Sequence, residues 1–561
     1  MRDKLQCKPK YTGIIASVVT FICLIQSVVR PLYVDVDNYF ISLVANKMFA
    51  GEAQDGYILH LHPFLCKLLE GVLFINESAD CVLLVSALML SVAIWAIAYV
   101  IASNAKSYYE LLVYIVVFFA VVFVGDLFHD NYTRWAAFMT AAGVMVLLWD
   151  VHGRCYNRKH QCLAAFLLSC GMMWRDEAFL VFIPFVGLDF VITAARETKD
   201  VRISLVKLIG KICVIPVISI VVLTMTNIVF NQMEPYKKAI AYDSARVTVV
   251  DYAMKDWYDV CTQMESVTQN DYESAKRWIL FDTERIDTEY LMEIGTIGET
   301  KAYELSLGGL IQMQKRVLSV FMDSQHFHYL AGILIIVLGI SLVLRISWYC
   351  RTQVLLLFFG TDLIFLYFAY VGRAIERGFV PAIYGLLASL AILFLAEERE
   401  VCKGGGGVLL VLITILALGR EITSENSFTN QSVWNTKAEI ENKYEDQCLN
   451  DVLYIWNAGS YMNGPVQYFK EKGKLVSQDV LNHHMIEGAW IYGQFYFEQY
   501  LKLVGVDNPM AALLEKKNTF YVAEDCSYVS VYLQEHFDEK TTVEQVDEIN
   551  GIPVWKFYVK D

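Results

Sequence analysis

The sequence predicts a polytopic α-helical membrane protein with a C-terminal α/β domain outside the membrane, and three observations predict this fold class. The chain has 561 residues, of which 56% are hydrophobic and only 19% charged, too apolar for an ordinary soluble protein. Apolar stretches of about 16 to 26 residues recur, long enough to cross a hydrocarbon core of roughly 30 Å when tilted. After residue 420 the pattern changes to short β-rich segments separated by turn residues.

About eleven apolar stretches are candidates for membrane spans, and several of them are short. The first is interpreted as a retained span, because Val28-Val29-Arg30-Pro31 offers no small-residue cleavage site at its end. The eleven lie at 12–29, 81–101, 110–125, 134–149, 161–174, 178–195, 205–230, 328–345, 353–371, 378–395 and 408–419.

The distribution of basic residues predicts the orientation of these spans. Four basic residues precede the first span, and the cytoplasmic segments of multi-pass proteins are enriched in such residues. With the N-terminus in the cytoplasm of a plasma-membrane protein, the outward-facing segments are 31–80, 231–327 and the tail. We therefore divide the chain into a membrane domain, residues 1–419, and an extracytoplasmic α/β domain, residues 420–561.

The two largest outward-facing segments are strongly acidic. Segment 231–327 holds about 16 acidic against 10 basic residues, and the tail about 22 against 11. Together they more than account for the formal net charge of −14. Because nucleic acid binding needs a basic surface, this charge argues against a nucleic acid partner.

Secondary structure is also predicted outside the spans. Stretches 38–50 and 64–75 carry apolar residues at helical spacing and predict two short helices on the membrane surface. Segment 231–327 is predicted to be mostly helical, with polar stops at 268–271 and 295–298. The tail predictions are strands at 452–459, 519–524, 529–533 and 554–559, helices at 484–504 and 508–516, and a hairpin through Glu548-Ile549-Asn550-Gly551.

Acidic clusters interrupt the apolar stretches at the outward face. Because a charge in hydrocarbon costs a few kcal/mol or more, several clusters on one face suggest a shared polar cavity. Asp35 and Asp37 follow the first span directly, where an aspartate can act as general base on a hydroxyl or hold a divalent cation. Asp126 and Asp130 supply further acidic groups in a loop on the same face. The alternative for both pairs is a solvated helix end or loop.

Three arginines belong to the same candidate site. Arg175, beside Glu177, joins two apolar segments with almost no loop, so its guanidinium needs a neighbouring carboxylate or a bound phosphate. Arg373 and Arg377 oppose the orientation bias and lie four residues apart, as on one face of a helical turn. Such a pair suits a lipid phosphate, and its alternative role is to anchor anionic headgroups.

The remaining candidates are less specific. His60 and His62 alternate along an extended stretch, and we take His62 to face the cavity. Neither has companions at metal-ligand spacing, so we predict no zinc site and no cofactor, while a divalent cation at the aspartates stays open. Arg246 with Asp251 is a candidate for shaping an acceptor groove. Two further acids are interpreted as surface groups, Asp271 and Asp282.

Several common catalytic motifs are missing from the sequence. It has no phosphate-cradling Gly-rich loop, no G-x-S-x-G and no nucleotide fingerprint. Their absence fits an activated donor that arrives on a lipid.

The layout resembles the GT-C superfamily of multi-pass glycosyltransferases, inverting enzymes that use polyprenyl-phosphate sugars. Their acidic catalytic residue lies in the first outer loop, the position of Asp35 and Asp37, and two interfacial helices follow it. Arg373 and Arg377 correspond to the basic groups that hold the donor phosphate. The chain also resembles a poorly characterised group of bacterial cell-surface membrane proteins, in the stretches WRDEAFLVFIPF at 174–185, YDSARVTVVDY at 242–252 and QNDYESAKRWILFD at 269–282.

The residues and the resemblance together lead us to expect transfer of a sugar from a polyprenyl-phosphate donor to a cell-surface glycan or lipid acceptor. Asp37 or Asp35 would deprotonate the acceptor hydroxyl, and the arginines would stabilise the departing phosphate. A lipid-linked sugar flippase or other transporter is the main alternative, with Asp189 and Asp362 as charges inside spans. A polysaccharide polymerase or a catalytically inert assembly protein also stays open.

Overall fold

The structure is a computed structural model that describes most of the chain. The predicted spans 110–125 and 408–419, and most of 328–345, lie outside the described residues, as do Asp35, Asp126 and Asp130. The described residues are 9–29, 36–48, 56–75, 80–104, 131–153, 157–197, 201–323 except 235 and 265, parts of 331–339, 348–396, 452–461, 478–487, 490–493, 497–549 and 551–560.

The described membrane part is built of helices. In chain order they are α1 (Pro9–Val29), α2 (Val36–Ala45), α3 (Pro63–Ile75), α4 (Cys81–Asn104), α5 (Tyr132–Gly153), α6 (Arg158–Trp174), α7 (Asp176–Leu180), α8 (Ile183–Glu197), α9 (Val201–Ile212), α10 (Val214–Asn231), α11 (Tyr236–Val250), α12 (Trp257–Val260), α13 (Gln269–Lys276), α14 (Thr288–Gly298), α15 (Leu307–Asp323), α16 (Trp348–Tyr370) and α17 (Glu376–Ala396).

Six helical stretches, counted among the described residues only, are long and apolar enough to cross a membrane. The predicted polytopic helical fold class is therefore confirmed, and α1 and α6 occupy two further predicted spans. The total of eleven stays a prediction, because three predicted spans fall largely outside the described ranges. The six stretches are Cys81–Asn104, Tyr132–Gly153, Asp176–Arg196, Val214–Asn231, Trp348–Tyr370 and Glu376–Leu393.

Two of the predicted spans are divided, each close to a proline. Span 178–195 is divided between α7 and α8, and Pro184 lies in the first turn of α8. Span 205–230 is divided at Cys213, and Pro216 lies in the first turn of α10. Because proline has no N–H for the carbonyl four residues earlier, it is accommodated best in the first turn of a helix.

Helix α5 packs closely against α6, and two glycines allow this contact. A Cβ atom at Gly171 would overlap Oγ1 of Thr140 and lie 2.8 Å from the carbonyl oxygen of Ala136. A Cβ atom at Gly143 would lie 2.8 Å from Cγ of Leu168. Small residues let helix backbones in a membrane approach each other, so these glycines set the spacing of α5 and α6.

Contacts between helix termini define two ends of the bundle. One end, called the site end, holds the N-termini of α2, α5 and α17 and the C-terminus of α6. At the opposite end His152 and Gln353 both bind Asp189, and His160 contacts Asp150 at 2.6 Å. Asp189, one of the two charges inside spans, is therefore paired far along the helices from the site end.

The tail folds into a mixed five-stranded sheet with strand order β2-β1-β3-β5-β4. Strand β1 pairs in parallel with β2 and β3, and β5 pairs antiparallel with β3 and β4. Helices accompany the sheet, which confirms the α/β prediction for this part. The elements are β1 (Leu453–Trp456), α18 (Ala458–Tyr461), α19 (Gln478–His483), β2 (His484–Ile486), α20 (Phe497–Leu503), α21 (Pro509–Glu515), β3 (Thr519–Val522), α22 (Ser527–His536), β4 (Thr541–Ile549) and β5 (Ile552–Val559).

Individual secondary-structure predictions for the tail can be compared with the structure. The β4–β5 hairpin is confirmed, and Gly551 adopts a positive φ of 80° in its turn. The predicted strand 529–533 is wrong, since it lies in α22, where residues three and four apart are buried. The predicted helix 484–504 is wrong over its first part, because His484–Ile486 extend the parallel sheet beside β1.

Segment 266–286 contains a helix where the sequence predicted a polar stop. Thr268 and Asp271 form a capping box that begins α13, each side chain accepting from the backbone N–H of the other. The Asp271 carboxylate also accepts from Arg285 at 2.8 Å and from His536 of α22 at 2.7 Å. This carboxylate thereby connects the segment to the tail.

Asp282 makes a second connection from the same segment to the tail. Its two carboxylate oxygens accept from Nδ2 of Asn508 and from the hydroxyl of Tyr532, both at 2.9 Å. Asp271 is 2% exposed and Asp282 is 3% exposed. The interpretation of these aspartates as surface groups is therefore wrong, and both are buried where the segment contacts the tail.

Candidate functional site

An ion pair between α2 and α17 lies at the centre of the site end. Asp37 belongs to the first turn of α2, and Arg377 to the first turn of α17. Nη1 of Arg377 donates to Oδ2 of Asp37 at 2.5 Å. The side chains are 22% and 39% exposed, so a ligand can reach both partners. The structure therefore brings together two of the predicted site residues, a carboxylate and a guanidinium, in a partly accessible ion pair.

The turn between α16 and α17 determines where Arg373 and Arg377 lie. Gly372 has a φ of +83°, and a Cβ atom there would lie 2.9 Å from the backbone nitrogen of Ala253. Helix α17 begins only at Glu376, so the expected helical turn with both arginines on one face is wrong. Nη2 of Arg373 instead donates to Oδ2 of Asp251, near the end of α11, at 3.0 Å.

Helix α5 joins the site through its first residues. The backbone N–H of Tyr132, which has no acceptor within the helix, donates to Oδ1 of Asn38 in α2 at 2.7 Å. Arg134 donates through Nη2 to Oε1 of Glu376 at the start of α17. These two contacts connect α2, α5 and α17 through residues that were not among the predicted candidates. The available signal was Arg134, since the predicted orientation places it on the outer side, against the bias of basic residues.

Arg175 lies in the short connection between α6 and α7, as the sequence predicted. Its Nη1 donates to the Tyr132 hydroxyl, and its Nε lies 3.2 Å from Oε2 of Glu177. Arg175 is 16% exposed and Glu177 is 67% exposed. Four charged groups act electrostatically on the Tyr132 hydroxyl: Arg175, Asp37, Glu177 and Arg377. Of the predicted site residues, these four lie close enough to Tyr132 to act on its hydroxyl.

The two histidines before α3 have different surroundings. The His62 ring is buried, with Nε2 at 2.9 Å from the Leu223 carbonyl and Nδ1 accepting from the Phe64 backbone at 3.2 Å. Both ring nitrogens are thus engaged by backbone, with Nε2 as the donor, and burial lowers the pKa of His62. His60 instead lies among charges of both signs, including Arg175 and Glu177, and burial lowers its pKa as well. The structure places His60, rather than His62, beside the charged groups.

Arg246 is buried in α11 and bound within its own helix. Its Nε and Nη2 donate to Oδ1 of Asp243 at 3.0 and 2.7 Å, and its guanidinium lies 4.6 Å from the ring of Trp278. Arg246 and Asp251, the candidates for shaping an acceptor groove, therefore have separate partners, because Asp251 binds Arg373. The charges of Arg246 and Asp243 both act on His60, which connects α11 to the site end.

Carboxylates that could hold a metal ion lie at the site end and where segment 266–286 contacts the tail. Asp37 is the one member of the two predicted aspartate pairs within the described residues, so a cation there stays untested. Elsewhere in the described chain, Asp271, Glu535 and His536 have ligand atoms close enough to share an ion. Arg285 donates to both Asp271 and His536, however, and a cation would have to displace this guanidinium.

Comparisons with known proteins give little further information. No protein-family model and no curated protein matches the chain. Among solved structures, the chain is similar to the crystal structure of ArnT from Cupriavidus metallidurans bound to undecaprenyl phosphate, with 12% sequence identity and a TM-score of 0.35. The alignment covers 97% of each chain. A TM-score this low does not establish a shared fold.

Proposed function

We propose that the protein is an inverting membrane glycosyltransferase that moves a sugar from a polyprenyl-phosphate donor to a cell-surface glycan or lipid acceptor. The observation that carries the proposal is the ion pair between Asp37 and Arg377, accessible at one end of a helical bundle. General acid–base catalysis needs a positioned carboxylate, and phosphate recognition favours arginine. In this proposal the site end faces outward, in agreement with the distribution of basic residues.

Arg377 links donor binding to the activity of Asp37 in the proposed reaction. The donor phosphate competes with Asp37 for the guanidinium of Arg377, because arginine binds phosphate through two parallel hydrogen bonds. Once Arg377 has moved to the phosphate, the Asp37 carboxylate accepts the proton of the acceptor hydroxyl. That oxygen attacks the anomeric carbon while the bond from this carbon to the phosphate oxygen breaks. Arg377 stabilises the negative charge that grows on the departing phosphate.

The other charged residues have supporting roles in this proposal. Arg373 is a second phosphate contact, which requires its ion pair with Asp251 to open. Arg175 holds the Tyr132 hydroxyl and Glu177, and His60 with Arg246 lines the side toward α11. Asp35, Asp126, Asp130 and His62 remain candidates from the sequence alone.

The substitution Asp37→Asn tests the proposal. The amide keeps the size of the side chain but cannot take up the hydroxyl proton, so we expect at least about a hundredfold loss of transfer. Proteoliposomes that contain a polyprenyl-phosphate sugar and total membrane glycolipids as acceptors would be assayed for the released lipid phosphate. Donor binding should persist in this variant. Transfer at the normal rate by Asp37→Asn would refute the role of this residue.

Asp362→Asn is the matched control and also tests the transporter alternative. Asp362 lies in α16 and accepts from Gln314 at 3.1 Å, away from the ion pair of Asp37. A transferase should tolerate this change. If Asp362→Asn instead abolished movement of a lipid-linked sugar across the bilayer while no glycosidic bond formed in either protein, the transporter function would replace the proposed one.

A further inference from the structure

A cavity lies at the carboxyl ends of the parallel strands in the tail. Its volume is about 390 Å³, within the range of about 300–1,000 Å³ that is usual for ligand sites. Asn457 follows β1 at this edge, and Ala523 follows β3. In open α/β sheets, ligands bind in the crevice outside the carboxyl ends of the strands. The position of the cavity, which we call the tail cavity, is therefore that of a binding site.

A buried carboxyl group lies directly behind the lining of the tail cavity. Glu487 follows β2 and is fully buried. Its Oε1 accepts from Nδ2 of Asn457 at 2.5 Å and from the hydroxyl of Tyr521 at 2.9 Å, and both of these residues line the cavity. Its Oε2 has no hydrogen-bond partner within the described part of the chain. A buried polar atom without a partner is destabilising, so this oxygen requires an explanation.

The charge state of Glu487 affects the residues of the lining that it holds. Burial raises its pKa to about 8, so the carboxyl group is neutral at pH 7. Glu487 therefore positions Asn457 and Tyr521 without adding a negative charge behind the cavity. This arrangement suits a neutral ligand better than a cation.

The lining of the tail cavity also excludes an anionic ligand. Glu524 and Asp525 supply two carboxylates, and Asp525 accepts from the backbone N–H and the hydroxyl of Ser527 at 2.8 Å each. The donors at the start of α22 therefore already bind an acidic side chain and do not attract an anionic ligand. Arg277 is the basic residue of the lining, and its guanidinium lies 4.5 Å from the ring of Tyr528.

We propose that the tail cavity binds a neutral saccharide. Ser460 offers its hydroxyl group to sugar hydroxyls. The Asn457 amide donates to Glu487 and accepts from the backbone N–H of Gly459, so it offers a sugar its second N–H and the remaining lone pair of its oxygen. Arg277, the C-cap residue of α13, contributes from segment 266–286, so a bound saccharide contacts both this segment and the tail. The proposal does not depend on the transferase function.

Saccharide binding can be measured on the full-length protein in detergent. The probes are neutral hexose and N-acetylhexosamine oligosaccharides immobilised on an array, followed by calorimetric titration of the best binder. We expect Asn457→Ala to weaken binding about tenfold, the loss of one or two hydrogen bonds. Asn518→Ala is the matched control, because Asn518 is exposed at the opposite edge of the sheet, before β3.

The binding data distinguish a saccharide site in the tail cavity from the absence of one. Binding that Asn457→Ala weakens and Asn518→Ala leaves unchanged supports the proposal. Absence of binding to every neutral probe by folded protein overturns it, as does equal binding by all three proteins or binding of sulfated and phosphorylated glycans only. Asp37→Asn protein should bind the saccharide normally, so a failed transfer assay and a failed binding assay remain distinguishable.

Discussion

Arg373 and Arg377 are four residues apart, and yet the backbone between them leads to two different carboxylates. The positive φ of Gly372 and the late start of α17 direct Arg373 to Asp251 and Arg377 to Asp37. The sequence indicated that both arginines need an anionic partner, and the structure pairs each with a carboxylate. It could not assign the partners, because the spacing of four applies to a helix that has not yet begun.

At the same scale, Glu487 makes the stability of the tail depend on pH. Its pKa is raised from 4.5 in the unfolded chain to about 8 in the fold, so the folded state retains a proton that the unfolded state releases. Stability therefore falls as pH rises from about 4.5 to about 8, and levels off above this range. Glu487→Gln mimics the neutral carboxyl group, and its gain in Tm over the native protein should grow across the same window.

Thermal unfolding followed at several pH values, without saccharide, measures this difference. Glu498→Gln provides the control, because Glu498 is exposed on α20 and its replacement should leave the pH dependence of Tm unchanged. A constant difference between the Glu487→Gln variant and the native protein from pH 4.5 to 8.5 would contradict the assignment of a retained proton.

At the scale of elements, the spacing of α5 and α6 determines the geometry of the site. Helix α6 ends at Trp174, and Arg175 is the next residue. The position of α6 along the axis of α5 therefore determines where Arg175 lies. Helix α5 begins with Tyr132, which receives the hydrogen bond from Arg175. The absence of a side chain at Gly171 therefore contributes to a contact one turn further along the helix.

Gly171→Ala should weaken both packing and transfer. The added Cβ atom overlaps Thr140 Oγ1, and overpacking of this kind costs about 1–3 kcal/mol. We expect a lower Tm in detergent and reduced transfer activity, with a normal amount of inserted protein. Gly187→Ala on α8 is the control, because no atom lies within 4 Å of a Cβ atom there. Equal stability of the two variants would show that the α5–α6 contact is not close.

At the scale of the whole molecule, segment 266–286 fixes the tail to the membrane part through buried polar groups. Asp282 receives bonds from Asn508 and Tyr532, and Asp271 receives bonds from Arg285 and His536. Each buried carboxylate is stabilised by its own pair of donors. The network therefore specifies one position of segment 266–286 relative to the tail.

Asp282→Ala should loosen this connection without affecting the helical bundle. Removal of the carboxylate leaves the Asn508 amide and the Tyr532 hydroxyl without their acceptor, at a cost of about 2–4 kcal/mol. Hydrogen exchange should accelerate in 266–286 and α22, and remain normal in α5 and α6. Asp259→Ala, an exposed aspartate of α12, is the control. Unchanged exchange in α22 would show that the network does not hold the tail.

The helices, the divisions of two spans near prolines and the charged helix ends depend on local features of the sequence. The length of the apolar stretches predicted the spans. Because a charge in hydrocarbon is costly, the same stretches indicated that Asp37, Arg175 and Arg377 need polar partners at one face of the membrane. The predicted strand at 529–533 failed because a short apolar run fits both periods, and burial by the neighbouring sheet selected the helix. His62 was preferred over His60 without a distinguishing signal, since alternation along an extended stretch does not indicate which side is buried.

The sequence by itself determined that this chain is a multi-pass helical membrane protein with an α/β tail, because hydrophobic length and residue periodicity are properties of short segments. Only the tertiary structure decided which charges meet. The pairing of Asp37 with Arg377, the position of Tyr132 among four charged groups and the buried Glu487 each join residues distant in sequence. Ion pairs and hydrogen bonds act over a few ångströms in space, and no local pattern in the chain records that proximity.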